Sequence, residues 1–211
     1  MRITKFGHAC VRIEYDGTVM VIDPGCWTEP EAVDGADAVL VTHEHVDHLF
    51  PANLRATTAP IFTIEAVAAQ IADLAPDVTE RVTVVAPGDA FDAGLPVTAV
   101  GALHAVIYPE LPRFANTGYV VQCGPRSAYH PGDALTPPDR PVDVLLLPVH
   151  APWSKISEVA DYARTVGAMS NLAVHDGLLN ANGIDLVGRL LTGFLEPSGQ
   201  GYRRIEPGTD L

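Results

Sequence analysis

No two of the three cysteines, Cys10, Cys26 and Cys123, form a CxxC pair, and an odd, widely spaced set supplies no disulfide framework. Cys10 and Cys123 lie in apolar, strand-like runs where a small thiol is expected to be buried. Cys26 follows the turn-like Asp23-Pro24-Gly25. Long apolar stretches are also missing: no run approaches the ~18 residues of a membrane span, so none is predicted. The opening Met-Arg-Ile-Thr-Lys lacks the apolar core of a secretory signal, and a reducing, cytoplasmic compartment is the expectation. Basic side chains are scarce, with 13 Lys and Arg against 26 Asp and Glu and a net charge of −13. Such a field repels phosphates and disfavours a broad polynucleotide surface, while leaving room for a small local basic pocket. Neither a glycine-rich dinucleotide loop nor a phosphate-cradling loop is present.

What remains is an ordinary globular composition. The 211 residues are 47% hydrophobic, and 18 Gly and 18 Pro punctuate them without a low-complexity tract or a clear linker. One domain spanning 1–211 is expected. Short apolar or alternating runs predict strands at 3–6, 10–15 and 19–22, the last two joined by a tight Asp16-Gly17 turn. An apolar strand at 38–42, with both faces expected to be covered, ends directly at His43. Residues 64–74 carry helical spacing. Strands follow at 82–86, 97–103, 118–123, 127–130 and 142–147, then a helix from Ser157 to about Met169, a strand at 172–174 and a helix at 185–195. The Gly/Pro-rich tail from Pro197 reads as irregular. Alternating strands and helices imply sheets covered by helices, either α/β or layered α+β, with a diffuse half-repeat conceivable.

The strongest chemical signal is His43-Glu44-His45-Val46-Asp47-His48. In an extended segment residues i and i+2 share a side, so His43 and His45 can address one cation, and Asp47 and His48 can reach the same cavity as the chain turns. Imidazoles and a carboxylate suit zinc or a similar divalent ion. The string is not the helical H-E-x-x-H pattern, because Asp47 stands where the second histidine is needed; Glu44 is therefore not read as a general base. His104, Asp133 and His175 each follow a predicted strand, and sites gather ligands where strands end. His8 and His150, also at strand boundaries, are candidates for substrate binding or proton donation. Arg113, Trp153 and Lys155 lie in loops that could meet an anionic or ring-bearing substrate, although each alone reads as an ordinary surface residue.

In these features the chain resembles the metallo-β-lactamase-fold hydrolase superfamily. The H-x-H-x-D-H string follows an apolar strand, and His104, Gly132-Asp133 and His175 follow in order. Phe6-Gly7-His8-Ala9 and Ile22-Asp23-Pro24-Gly25 are similar to the family's opening. The resemblance implies an α+β, four-layer αββα sandwich. It implies one metal on His43, His45 and His104, a second on Asp47, His48 and His175, Asp133 bridging them, and Asp23 steadying a ligand imidazole from behind. The cofactors would be two divalent ions, zinc first, with manganese or iron accepting the same donors. Catalysis would use a metal-bridged hydroxide against a small-molecule ester, lactone or related bond, with Asp47, and His150 and His8 beside it, as the catalytic candidates.

The layout looks most like the lactonase-like branch that contains the ascorbate-phosphate lactonase. That branch commonly reads Pro-x-Gly-Gly where this chain has Pro148-Val149-His150-Ala151-Pro152-Trp153, so the pocket wall is expected to differ. Three other readings stay open: a metal-dependent phosphodiesterase or nuclease, a non-catalytic metal-binding domain, and an iron oxidoreductase, whose relatives usually add a flavin domain. The expected partner is a small-molecule substrate, with no long nucleic acid and no membrane; a homo-oligomer is compatible with the sequence.

Overall fold

The computed structural model describes residues 1–211. The first half forms β1 (Arg2–Lys5), β2 (Val11–Tyr15), β3 (Thr18–Ile22), β4 (Ala38–Val41), β5 (Ile61–Thr63) and β6 (Val82–Val84). The second forms β7 (Ala90–Asp92), β8 (Pro96–Val100), β9 (Gly118–Cys123), β10 (Arg126–His130), β11 (Val144–Pro148), β12 (Ser170–Val174), β13 (Gly201–Arg203) and β14 (Thr209–Asp210). Four helices, α1 (Pro51–Arg55), α2 (Glu65–Leu74), α3 (Ile156–Val166) and α4 (Ala181–Leu195), lie between them. The strands make two seven-stranded sheets, ordered β14-β1-β2-β3-β4-β5-β6 and β13-β12-β11-β10-β9-β8-β7. Each sheet is antiparallel on one side, through β3 or β10, and parallel on the other. Both halves of the chain therefore repeat one pairing scheme.

Strand alternation sorts the apolar residues into layers. In β4, Ala38 and Leu40 enter the central cluster between the sheets, while Val39 and Val41 pack outward with Leu54 of α1 and Val67 and Ile71 of α2. In β11, Val144 and Leu146 face the centre, and Leu145 and Leu147 meet α3 and α4. Burying each such Val or Leu side chain contributes roughly 1.5–3 kcal/mol. The result is the αββα sandwich, two mixed sheets face to face with helices outside.

Several boundaries differ from the sequence expectations for local reasons. The strand expected over 97–103 stops at Val100, because Gly101 adopts φ +77°, and only an isolated Leu103–Ala115 bridge continues it. The helix expected from Ser157 begins at Ile156 and ends at Val166, where Gly167 takes the left-handed C-cap. The last helix begins four residues before Asp185, at Ala181, because the Asn180 side chain accepts the Gly183 N–H. The tail is not irregular throughout: β13 joins the parallel edge beside β12, and β14 pairs with β1. The expected strand 142–147 instead spans Val144–Pro148, and α1 and the short β5 and β7 were not anticipated.

Strand direction gathers the candidate ligands in one place. β8, β10, β11 and β12 all run the same way, so the residues after their C-terminal ends collect at one edge of the sandwich. His104, Asp133, His150 and His175 occupy those positions, across from His43 at the end of β4.

Candidate metal centre

The His43–His48 segment is shaped by its turn. After β4 the chain stays extended long enough to put His43 Nε2 3.0 Å from His45 Nδ1. It then reverses: the N–H groups of His48 and Leu49 both donate to the His45 carbonyl, at 2.9 and 2.8 Å. Asp47 and His48 thereby face the cavity from a second side. The turn is braced by the 23–26 loop. Cys26 N–H donates to Val46 O, and buried Asn53 of α1 donates to the Pro24 and Gly25 carbonyls. A Cβ on Gly25 would lie 1.8 Å from the Asp47 carbonyl oxygen, so only glycine allows the two backbones to approach this closely.

The scattered residues converge here in two adjoining groups. His43, His45, His104 and Asp133 form one, and His8, Asp47, His48 and His175 the other; within each, the candidate ligand atoms lie within 4.8 Å of one another. Asp133 faces both. Its Oδ2 is 3.4 Å from His104 Nε2, and its Oδ1 is 3.2 Å from His48 Nε2 and 3.1 Å from His175 Nε2. Its backbone is fixed by Asn116, whose Oδ1 accepts the Asp133 N–H and whose Nδ2 donates to Pro131 O. Gly132, at φ +62°, makes the turn between them.

Hydrogen bonds behind the imidazoles decide which nitrogens face the cavity. His48 Nδ1–H donates to Asp23 Oδ2 at 2.7 Å, His104 Nδ1–H to Ala105 O at 2.6 Å, and His175 Nδ1–H to His150 O at 2.6 Å. Thr42 Oγ1–H donates to Asp23 Oδ2, so the hydroxyl oxygen is left to accept from His43 Nδ1 at 3.0 Å. In the neutral tautomers that these bonds select, each Nε2 presents a lone pair to the cavity. His48 Nε2, His104 Nε2, His175 Nε2 and Asp133 Oδ1 are buried without a hydrogen-bond partner. Lone pairs and a carboxylate oxygen facing one another at such distances repel unless a cation or a proton lies between them. The donor set of imidazole nitrogen and carboxylate oxygen, backed by fixed outer contacts, fits divalent transition ions.

The electrostatics divide the imidazoles into two kinds. Burial lowers the pKa of His43 well below the imidazole norm, depresses His45, and brings His8 to about 4, which keeps these rings neutral. Burial also opposes charge on His48 and His175, but Asp133 outweighs it, with Asp23 adding its charge at His48. The first is raised well above its ordinary value and the second to about 9. Burial opposes ionisation of Asp133 and Asp47 as well. His175 and His48 overcome it at Asp133, and the His175 and His8 hydrogen bonds overcome it at Asp47, so both stay ionised.

Residues 2–175 match the beta-lactamase superfamily domain. The chain belongs to the metallo-β-lactamase superfamily. It is 39% identical to Protein Rv0786c of Mycobacterium tuberculosis over 193 residues, covering 87% of this chain and 89% of that protein. It is 29% identical to a UPF0173 metal-dependent hydrolase of Aeropyrum pernix over 150 residues, covering 63% of this chain and 61% of that one. Among solved structures, a Parabacteroides distasonis protein assigned as a metal-dependent hydrolase superposes with a TM-score of 0.78 at 25% identity, covering 96% of this chain and 91% of that one. With two adjoining His/Asp groups in this fold, the protein is a metal-dependent hydrolase of the superfamily.

The superfamily fold thus brings all seven sequence-selected metal candidates, and His8, into two adjoining groups. His8 sits at φ +57°, accepts the Gly177 N–H on Nδ1 and donates Nε2–H to Asp47 Oδ2 at 3.0 Å. His150 enters differently: its carbonyl holds His175, and its ring belongs to neither group. Asp23 lies behind His48, and Trp153 Nε1–H reaches Asp133 Oδ2 at 2.9 Å. Half-buried Cys26 and exposed Lys155 lie in neither group. Sequence reasoning missed Trp27, which stands edge-on to His8 at 4.7 Å, and Phe114, which stands edge-on to His45 at 4.5 Å. Thr42 was missed as well, although its place between an apolar strand and His43 was a usable signal.

Proposed function

We propose that this protein hydrolyses a small-molecule ester, lactone or related bond at a dinuclear centre that takes zinc first. His43, His45 and His104 would hold one ion, and Asp47, His48 and His175 the other, with Asp133 between them. The observation that carries the reading is Asp133, whose two oxygens face bare Nε2 atoms of the two groups. The ions would supply Lewis acidity, lowering the pKa of a bound water and polarising the oxygen of the electrophile.

The chain's own residues position that chemistry. Trp153 and the Asp133 backbone contacts hold the bridging carboxylate in one orientation. Asp47 is the least enclosed carboxylate, with a side chain 17% exposed, so it stands where water and substrate enter. Its Oδ2 accepts the hydrogen bond from His8 Nε2–H, which leaves Oδ1 to orient a water or a ligand proton. Because Nδ1 of His8 already accepts from Gly177, its Nε2 carries a hydrogen, so His8 is read as the residue that positions Asp47 rather than as a metal ligand. His150 acts through its carbonyl on His175. The lactonase-like branch remains the favoured assignment within the superfamily, with Ala151-Pro152-Trp153 giving this chain a different pocket wall. We further infer a single domain over 1–211, since one αββα sandwich uses strands from β1 to β14; no helix is long and apolar enough to cross a membrane.

The test combines elemental analysis with a substrate screen of the zinc-loaded protein. Up to two ions per chain, lost together in Asp133→Asn, and turnover of lactones or carboxylic esters are expected. Turnover confined to bis-p-nitrophenyl phosphate would move the assignment to a phosphodiesterase. Stoichiometric metal with no turnover across lactones, thioesters and phosphodiesters would leave a metal-binding domain.

A further inference from the structure

Six of the fourteen exposed large apolar side chains, Leu103, Val106, Ile107, Tyr108, Leu111 and Phe114, fall within twelve residues of one loop. Scattered singly, such residues need no explanation; concentrated in one segment, they mark a binding surface. The loop is pinned to the metal centre at both ends. Leu103 bridges Ala115, His104 N–H donates to Phe114 O, and Ala105 N–H donates to Asp133 O. The Phe114 ring meets His45 and His104. Two grooves of about 460 and about 410 Å³ flank the loop. Ala105, Val106 and Arg113 line both, and Trp153, which also holds Asp133, walls the first.

Arg113 is the exception in this apolar surface. Its Nε donates to the His104 carbonyl at 2.6 Å, which fixes the plane of the guanidinium. Its terminal nitrogens have no hydrogen bond or ion pair within the chain, whereas Lys155 in the same groove is paired with Glu158. In a chain of net charge −13, an oriented and unpaired guanidinium beside a metal ligand is a local reversal of the field. Its fork matches an oxyanion.

We propose that the 103–114 loop is the substrate-recognition surface, and that it takes an apolar acyl or aryl body bearing an anionic group that Arg113 holds. The choice of substrate class rests on the hydrolase reading; the binding itself does not. The binding test therefore uses a non-hydrolysable probe that is a poor metal ligand. Titration of the zinc-loaded protein with 1-octanesulfonate and with 1-octanol, followed by calorimetry, is expected to show the anion binding about ten-fold more tightly, about 1.4 kcal/mol. Arg113→Met should remove that advantage, bringing the two probes to equal affinity, Arg113→Lys should keep part of it, and Val106→Ser with Leu111→Ser should weaken both probes. Equal affinity of the wild type for the two probes, or an unchanged preference in Arg113→Met, would overturn the proposal. So would self-association of the wild type that Leu111→Ser abolishes, because the patch would then belong to a second copy of the chain. If the preference is seen and no ester is cleaved, the recognition surface stands and the hydrolytic reading fails. If esters are cleaved, Arg113→Met should lower kcat/KM for a carboxylate-bearing 4-nitrophenyl ester about ten-fold more than for a neutral one, whatever the loss of the His104 carbonyl contact does to both.

Discussion

The Asp23 carboxylate accepts the Nδ1–H of His48 at 2.7 Å while the same oxygen accepts the Thr42 hydroxyl at 2.7 Å, so one buried acid aligns imidazoles of both His/Asp groups. The reach to the first group runs through Thr42, whose oxygen accepts from His43. Asp23 adopts φ +54°, a conformation that a non-glycine residue holds only when its surroundings over-determine it. Replacing Asp23 by Asn keeps the shape but puts an amide where three donors converge. Metal affinity is expected to fall about 10–100-fold, the usual effect of losing a contact behind a ligand. Thr42→Val should weaken mainly the ion on His43, and Thr42→Ser should restore it. Chelator competition on the three variants checks the order; equal affinities would show that Asp23 does not act through these rings.

His8 and Asp47 yield a second prediction. His8→Ala removes the hydrogen bond that fixes Asp47 Oδ2, but on the tautomer argument it removes no ligand. The ion on Asp47, His48 and His175 should bind about 10-fold more weakly or worse, yet still fill at high metal concentration, while the other ion is unaffected. Complete loss of the second ion, even in excess metal, would identify His8 as a ligand instead.

The stability of the metal-stripped protein should depend on pH in a defined direction. His175 has a folded pKa raised to about 9 against an ordinary 6.5, through Asp133 overcoming burial. A raised value means that the folded state holds the proton more tightly than the unfolded chain does. The stabilisation is therefore complete below about 6.5 and is lost as pH climbs through 9. His48 shifts in the same direction. Melting temperature of the chelated protein should fall between pH 6.5 and 9. Metal affinity should rise over the same window, because the ion competes with those protons. Parallel melting curves for loaded and stripped protein across this range would contradict the assignment of these rings to the ion sites.

Much of this was legible in the sequence, and the limits have physical causes. The apolar run of β4 followed by alternating histidines marked 43–48 as the candidate site, and His104, Asp133 and His175 could be grouped with it because each follows a strand of one sheet and those strands run the same way. The Asp16-Gly17 turn was equally plain, with both residues at positive φ. β7, β13 and β14 were not, because two- and three-residue strands take their register from a neighbour rather than from their own pattern. The bond from His8 to Asp47 spans 39 positions, and the placement of Trp27 and Phe114 against the imidazoles is likewise purely tertiary. Gly101 ended a strand that periodicity alone would extend to His104.

Two glycines separate backbone that the centre requires from backbone that it merely tolerates. At Gly25 an added methyl group would overlap the Asp47 carbonyl carbon at 2.0 Å and crowd His48 N at 2.6 Å. Nothing there is a flexible side chain that can swing away, so the 23–26 loop and the Asp47–His48 turn must separate. Gly25→Ala is expected to lower stability by about 1–3 kcal/mol, as overpacking does, and to release metal beyond what that loss explains. Gly193, inside α4, has no atom within 4 Å of such a methyl group. Gly193→Ala should therefore raise stability by about 0.5–1 kcal/mol through helix propensity and leave metal binding alone. Urea denaturation with metal analysis on both variants makes the comparison. Equal behaviour would mean that the approach of the 23–26 loop to Asp47 does not set the geometry of the second ion site.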